Sequence, residues 1–165
     1  ERVIPLLKKS RLKIILEPGR FISGNSGVLV TRVIYTKRTP RKKFVIVDSG
    51  MSDLIRPSLY EAYHKIVPVK VAENSSETCE KVDIVGPICE SGDFLGKDRL
   101  LPQVFKNDLL AVMGAGAYGF TMSSNYNARP RPAEVMVIKK DFYVIRKHET
   151  YRDLVRGETI PKVLK

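Results

Sequence analysis

The sequence has few of the residues and runs that identify several protein classes. Of 165 residues only two are cysteine and two are histidine, so their number and spacing exclude a disulfide scaffold and a zinc knuckle. No apolar run approaches the roughly 18 residues that a membrane-spanning helix needs. The first residues lack the continuous apolar stretch of a signal peptide. We therefore expect a globular chain in the reducing cytoplasm, with no membrane partner and no bound metal.

Acidic residues are also scarce, and the chain is strongly basic. It has 29 lysines and arginines against 18 aspartates and glutamates, which gives a formal net charge of +11. A basic chain often binds nucleic acid. The positive charge is densest in residues 38–43 and 146–165, but no ribonucleoprotein or zinc-finger signature accompanies it. We expect a solvated charged face and no nucleic-acid partner.

Runs of β-branched and apolar residues predict a mainly β fold. Basic residues 37–43 are expected to form the tip of a hairpin, and residues 139–141 a second, tight hairpin. Helical signals are few and short, at residues 58–64, 115–118 and 150–155, and they do not alternate with strands after residue 24. The expected architecture is an antiparallel β-sandwich or barrel-like domain. Predicted strands cover residues 12–16, 28–35, 44–48, 66–71, 82–85, 109–112, 134–138 and 142–145.

Two polar turns follow predicted strands. The first, Glu17-Pro18-Gly19-Arg20, offers an acid and a guanidinium that can hold a phosphate or a carboxylate. The second leads into a short helix in which Arg56 and Tyr60, four residues apart, can point the same way. Surface ion pairing and packing are the alternative interpretations of both. Tyr63 and His64 are expected to be packing or surface residues.

Two further segments are rich in glycine. Residues 114–119 allow a ligand or another backbone to approach closely, and their amides suit an anion. The polar residues 124–132 that follow are expected to be structural and to fix the preceding turn. Residues 86–93 place the thiol of Cys89 beside Glu90 on a short loop, where it can carry a proton or attack an electrophile.

Taken in order, these segments resemble the C-terminal portion of the fold-type III pyridoxal-phosphate-dependent decarboxylases. The resemblance covers residues 12–137. The Glu-Pro-Gly-Arg turn is similar to that of ornithine and arginine decarboxylases, whereas residues 51–64 and 86–93 resemble the diaminopimelate decarboxylases. This resemblance implies pyridoxal 5'-phosphate as the cofactor, and decarboxylation of meso-2,6-diaminopimelate to L-lysine and CO2.

The resemblance also implies which residues meet the cofactor. Glu17 would pair with the pyridine nitrogen and keep it protonated, so that the ring can accept electrons. Pro18 and Gly19 would shape the turn beside the cofactor. Arg20 would lie near both the cofactor phosphate and the substrate, and Tyr118 would contact both as well.

The substrate-binding and catalytic roles follow from the same resemblance. Arg56 and Tyr60 would hold the distal carboxylate of the substrate, and Glu90 its distal amino group. Cys89 would deliver a proton to the carbon that loses CO2. Cys89 and Glu90 would act in the active site of a partner subunit, which implies a homodimer.

In the family, the cofactor lysine, the ring-stacking histidine and the phosphate loop lie in the part of an N-terminal barrel that has no counterpart in these residues. Residues 1–24 would be the end of that α/β barrel, including its last strand, and residues 25–165 the C-terminal β domain. We therefore expect the chain alone to be inactive. Two alternatives stay open: an ornithine- or arginine-type decarboxylase of the same fold, and a non-catalytic basic β-rich module that binds anionic partners.

Overall fold

The computed structural model describes residues 3–9, 12–70 and 79–164. The strands are β1 (Val28–Arg38), β2 (Lys43–Val47), β3 (Ile66–Pro68), β4 (Cys79–Val85), β5 (Phe94–Pro102), β6 (Leu109–Met113), β7 (Glu134–Ile138) and β8 (Asp141–Arg146). The α-helices are α1 (Ile4–Lys9), α2 (Gly19–Ser23), α3 (Arg56–Tyr60) and α4 (Tyr151–Leu154), and 3-10 turns cover Gly24–Ser26, Phe120–Met122, Tyr126–Ala128 and Lys162–Leu164. Within these described ranges, every helix is too short to cross a membrane.

Six strands form one sheet in the order β3-β6-β1-β2-β4-β5. All neighbouring pairs are antiparallel except β2 and β4, which run parallel. The guanidinium carbon of Arg99, in β5, lies 3.9 Å from the ring centroid of Tyr63, a residue just before β3. The two edge strands of the sheet therefore approach each other. The sheet is therefore a nearly closed barrel, which confirms the expected mainly β, barrel-like fold. The parallel pair makes the sheet mixed.

The core lies inside this barrel and follows from the period of two along each strand. In β1, Thr31 and Val33 are buried while their neighbours are exposed, and in β2 Val45 and Val47 are buried on either side of the half-buried Ile46. Burying one such aliphatic side chain contributes roughly 1.5–3 kcal/mol. The core cluster comprises Val33, Val45, Val47, Leu54, Ile66, Val82, Ile84, Leu95, Leu101, Val104, Leu110 and Val112.

Both predicted hairpins are present. β1 pairs with β2 across the basic tip, where Arg38 faces Lys43, and the Thr39 backbone N–H donates to the Lys42 carbonyl over 2.8 Å. β7 pairs with β8 through a two-residue turn whose first residue, Lys139, has a φ of 56°. Nearly all side chains of this second hairpin are exposed, although most of them are apolar.

Other expectations need correction. Residues 12–16 were expected to form a buried strand, but residues 12–18 form no regular secondary structure, and Ile15 and Leu16 are each 76% exposed. A strand needs a neighbour to complete its hydrogen bonds, and none of the described strands lies beside this segment. The helix predicted at 58–64 is instead α3, which ends because Glu61 is left-handed at φ 52°. The helical signal at residues 115–118 corresponds to turns, and β5 was not among the predicted strands. Val71, the last residue of the strand predicted at 66–71, lies outside the described residues.

Candidate active site

Helix α3 presents an arginine between two tyrosine rings. Arg56 begins the helix and Tyr60 ends it, so their four-residue spacing brings the side chains together. The guanidinium carbon of Arg56 lies 5.7 Å from the ring centroid of Tyr60 and 5.7 Å from that of Tyr118. Tyr118 comes from the loop after β6 and has a φ of 59°. The result is a cation with aromatic neighbours, an arrangement that suits a carboxylate ligand.

A cleft of about 380 Å³ opens beside this group. It is lined by residues of α2 and its following turn, by residues 63–65, and by the end of β6, among them Arg20, His64 and Met113. His64 is 5% exposed, and its Nδ1 lies 2.9 Å from the Met113 carbonyl oxygen. Its Nε2 is buried and has no hydrogen-bond partner among the described residues.

The electrostatics of the cleft are dominated by positive charge. Burial lowers the pKa of His64, and the nearby guanidinium groups of Arg56, Arg20 and Arg99 lower it further, against the opposing effect of the Met113 carbonyl. The positive charges of three arginines thus disfavour protonation of His64. The cleft can therefore accept an anionic group, such as a phosphate or a carboxylate, through the guanidinium of Arg20.

The glycine-rich residues 114–119 fix this geometry. The backbone N–H of Ala115 donates to the Gly27 carbonyl over 2.9 Å, and that of Gly116 to the Gly24 carbonyl over 3.0 Å. A Cβ at Gly116 would collide with the backbone carbonyl of Ser23. Gly116 thus admits another backbone, and these two amides are already used, whereas Gly114 lines the cleft. The two amides join the loop that carries Tyr118 to the segment that follows Arg20.

The acidic turn before α2 is open to solvent. Glu17 is exposed, and its carboxylate forms no hydrogen bond with any of the described residues. Pro18 caps the N-terminus of α2, and Gly19 is its first residue. Arg20 follows and turns toward the cleft that contains His64. The structure therefore places Arg20 in the cleft beside His64, whereas Arg56 and Tyr118 contact each other and the carboxylate of Glu17 is exposed.

The Cys89 loop lies between β4 and β5. Its thiol is free and exposed, and Glu90 is also exposed, with its Oε1 accepting the backbone N–H of Gly92 over 3.0 Å. Neither residue lines the cleft around His64. The hydroxyl of Ser58 in α3 donates to the Gly92 carbonyl over 2.5 Å. The loop is thus tied to the helix of Arg56, but its functional groups point elsewhere.

The turn that precedes α3 is braced by the polar residues 124–132, whereas the sequence had predicted that they fix the glycine-rich turn 114–119. The guanidinium of Arg129 donates to the Asp48 carbonyl over 2.6 Å, and the Ser124 N–H donates to the Ser52 carbonyl over 2.9 Å. Burial raises the pKa of Asp53 in this turn, while the Gly50 N–H and the charge of Arg129 oppose that rise. These contacts fix the approach of the chain to Arg56.

The basic hairpin tip is partly neutralised. Arg38 and Lys43 both pair with Glu80, at 2.6 and 2.9 Å, and Lys42 pairs with the buried Asp83 at 2.6 Å. The Lys43 ammonium, together with Arg38, lowers the pKa of Glu80. Three basic residues of the tip, Arg38, Lys42 and Lys43, are therefore neutralised by ion pairs. This weakens the interpretation of the tip as a surface that binds anionic partners.

Two groups were beyond the reach of sequence reasoning. His64 lines the cleft and does not merely fill the core. Its spacing of eight residues from Arg56 would suggest a shared helix face, but the helix ends at Tyr60. Ser58 carried no sequence signal, since its role depends on the Cys89 loop, more than thirty residues away.

Comparison with known proteins identifies the family of this chain. The model of a family described as pyridoxal-dependent decarboxylase, C-terminal sheet domain, matches residues 20–116. The diaminopimelate decarboxylase of Aquifex aeolicus is 54% identical over 150 residues, which are 91% of this chain and 35% of that protein. The chain thus spans about a third of the length of the curated relatives it matches.

Solved structures show the same relationship. The crystal structure of diaminopimelate decarboxylase from M. jannaschii in complex with L-lysine matches 99% of this chain and 38% of that chain, at 42% identity and a TM-score of 0.85. The lysine/ornithine decarboxylase of Vibrio vulnificus, in complex with cadaverine, is 21% identical with a TM-score of 0.59, over 68% of this chain and 30% of that one. That second likeness shows a shared fold alone.

Proposed function

This chain belongs to the pyridoxal-dependent decarboxylases through their C-terminal sheet domain, and from that premise we propose that the intact protein is a diaminopimelate decarboxylase. It would convert meso-2,6-diaminopimelate to L-lysine and CO2 in the cytoplasm. The observation that carries the proposal is the contrast in identity, 54% to a diaminopimelate decarboxylase against 21% to a lysine/ornithine decarboxylase. An ornithine- or arginine-type activity is the alternative within the same fold.

The cleft fits the cofactor that the family implies. Pyridoxal phosphate, when bound, supplies a ring that accepts the electrons left behind by departing CO2. Arg20 lines the cleft and offers a guanidinium to the phosphate of the cofactor. Glu17 is exposed and unpaired among the described residues, so its carboxylate is available to hold a proton on the ring nitrogen. The ring of Tyr118 lies 5.7 Å from the guanidinium carbon of Arg56, the residue that would bind the substrate.

The substrate carries a carboxylate and an ammonium at each end, so its distal end needs partners of both signs. Arg56, bracketed by Tyr60 and Tyr118, supplies a fork of donors for the distal carboxylate. Glu90 supplies an exposed carboxylate for the distal ammonium. Ornithine lacks the distal carboxylate, so Arg56 would have nothing to bind in an ornithine decarboxylase. The arginine therefore supports the diaminopimelate assignment.

We propose that the thiol of Cys89 gives its proton to the carbon that loses CO2. Cys89 and Glu90 are exposed and do not line the Arg20–His64 cleft, which supports their action in the cleft of a second subunit. The intact protein would then be a homodimer in which each active site draws residues from both chains.

The chain supplies only part of the proposed enzyme. It spans 35% of its Aquifex aeolicus relative, and apolar side chains of residues 14–16 and of the β7–β8 hairpin are exposed. We propose that the barrel that makes up most of the relatives' remaining length covers part of this surface, and that residues 1–24 belong to that barrel while residues 25–165 form the sheet domain. The chain by itself would then have no activity.

Measuring lysine release from meso-diaminopimelate in the presence of pyridoxal phosphate tests the proposal. The assay compares this chain alone with the intact protein that contains it. We expect lysine from the intact protein and none from the chain alone. A correctly folded, cofactor-loaded intact protein that releases no lysine would overturn the assignment, and salt-sensitive retention on an anionic polymer would then favour a basic binding module.

A further inference from the structure

Asp93 is a buried carboxylate that bridges two loops. It is 3% exposed. Its Oδ1 accepts the backbone N–H of Met51 over 2.6 Å, and its Oδ2 accepts that of Ile88 over 2.7 Å. Among the described residues, no lysine or arginine forms an ion pair with it. Such a carboxylate holds its place through its backbone donors, because charge-assisted bonds of this kind are about twice as strong as neutral ones.

Two glycines make room for this carboxylate. A Cβ at Gly50, beside Met51, or at Gly86, at the start of the Cys89 loop, would lie within 3.0 Å of several Asp93 carboxylate atoms. Real side chains essentially never approach so closely, so the bridge requires a residue without Cβ on each side. The two loops are therefore fitted to one another through Asp93.

The same carboxylate residue closes the Cys89 loop on itself. The Gly86 N–H donates to the Asp93 carbonyl over 3.0 Å, and the Asp93 N–H donates to the Glu90 carbonyl over 3.0 Å. Ser58 adds a separate tie from α3 to Gly92. The loop that carries the thiol and the segment that leads to Arg56 are consequently joined by hydrogen bonds, with Asp93 at their junction.

We propose that Asp93 is a positioning residue that sets the Cys89 thiol at a fixed place relative to Arg56. This inference rests on the proposed function. If the domain gives Arg56 to one active site and Cys89 to the site of the partner subunit, the Asp93 bridge fixes the spacing between the two sites. A thiol that must deliver a proton to one carbon depends on that spacing, since a misplacement of about 1 Å can lower a rate on the order of 100-fold.

Asp93→Asn in the intact, cofactor-loaded protein tests the proposal. Asparagine has the same shape, but it turns an NH2 group toward one of the two backbone donors, so one of the two bonds is lost. We expect kcat per cofactor-loaded site to fall on the order of 100-fold, KM to change less than kcat, and the cofactor absorbance to persist. The matched control is Asp98→Asn, which should keep normal turnover. Asp98 is an exposed carboxylate on β5, and asparagine tolerates its positive φ.

The result that overturns the inference is a kcat per loaded site within twofold of the unaltered protein. A purely structural role would lower the yield or the melting temperature and leave that normalised kcat unchanged. Where Asp93→Asn gives no folded protein, Ser58→Ala removes the other tie without disturbing a buried charge. We expect a fall in kcat of about tenfold in that variant, and an unchanged kcat there also contradicts the proposal. Unaltered protein that makes no lysine would refute the decarboxylase assignment instead, so the two failures are distinct.

Discussion

Replacing Arg56 with alanine is the most informative perturbation of the proposed substrate site. The side chain lies between Tyr60 and Tyr118, and its Nε is buried without a hydrogen-bond partner among the described residues. The rings therefore orient a guanidinium whose outer nitrogens can meet a carboxylate. Alanine removes the charge and the fork of donors together, while both tyrosines keep their backbone positions.

The size of the effect follows from the lost interaction. A hydrogen bond to a charged group contributes about 1.5–3 kcal/mol, and each 1.36 kcal/mol corresponds to a factor of ten. KM for meso-diaminopimelate should therefore rise roughly 10- to 150-fold, with a smaller change in kcat, because the distal carboxylate is held equally before and during the reaction. Arg56→Lys keeps the charge but loses the planar fork, so its KM should lie between those of the unaltered protein and Arg56→Ala.

The assay is steady-state lysine release by the intact protein, normalised to bound cofactor. Arg41→Ala removes an identical charge from the exposed hairpin tip and serves as the control for net charge. The His64 pKa gives an independent measure: because Arg56 helps to lower it, the His64 resonance should titrate at higher pH in Arg56→Ala. An unchanged KM in a folded variant would refute the assigned role of Arg56.

Two further predictions concern other parts of the domain. Cys89→Ala should lower kcat strongly while leaving the cofactor absorbance intact. Mixing this variant with Arg56→Ala should restore part of the activity, because one of the two active sites in each mixed dimer would be complete. Normal turnover in Cys89→Ala would remove the thiol from the mechanism. Glu149 is held by the side chain and backbone of Arg131 and by Asn125, and these bonds lower its pKa to about 2. Glu149→Gln should therefore lower the free energy of unfolding by about 1–2 kcal/mol at pH 7. Since a depressed carboxyl pKa stabilises the fold above the ordinary value of 4.5, the difference from the unaltered protein should shrink as the pH falls from 4.5 toward 2, and a pH-independent difference in thermal melts would contradict this explanation.

The sequence was most informative where structure is local. The β1–β2 and β7–β8 hairpins were predicted because β-branched runs bracket short polar turns, and a hairpin needs only those neighbouring residues. Arg56 and Tyr60 could be paired from their spacing, because one turn of helix fixes that relation. The glycines at 114–119 indicated a close approach, although the sequence left open whether a ligand or a backbone makes it.

Features that depend on distant partners were missed or misjudged. β5 contains Gly96, Asp98 and Pro102, which weaken any strand signal, and it forms because it pairs with β4. Residues 12–16 have the composition of a buried strand but no strand beside them among the described residues, so they form none. The bridge by Asp93 joins Met51 to Ile88, and no local pattern reveals a carboxylate whose donors lie in two separate loops.

Substrate preference tests the central claim most directly. The ratio of kcat/KM for meso-diaminopimelate to that for ornithine and for arginine should be measured on the intact, cofactor-loaded protein. The account predicts turnover of meso-diaminopimelate and at least a tenfold preference for it, since only this substrate places a distal carboxylate against Arg56. Equal or better turnover of ornithine or arginine would contradict it and would assign the domain to the other branch of the same fold.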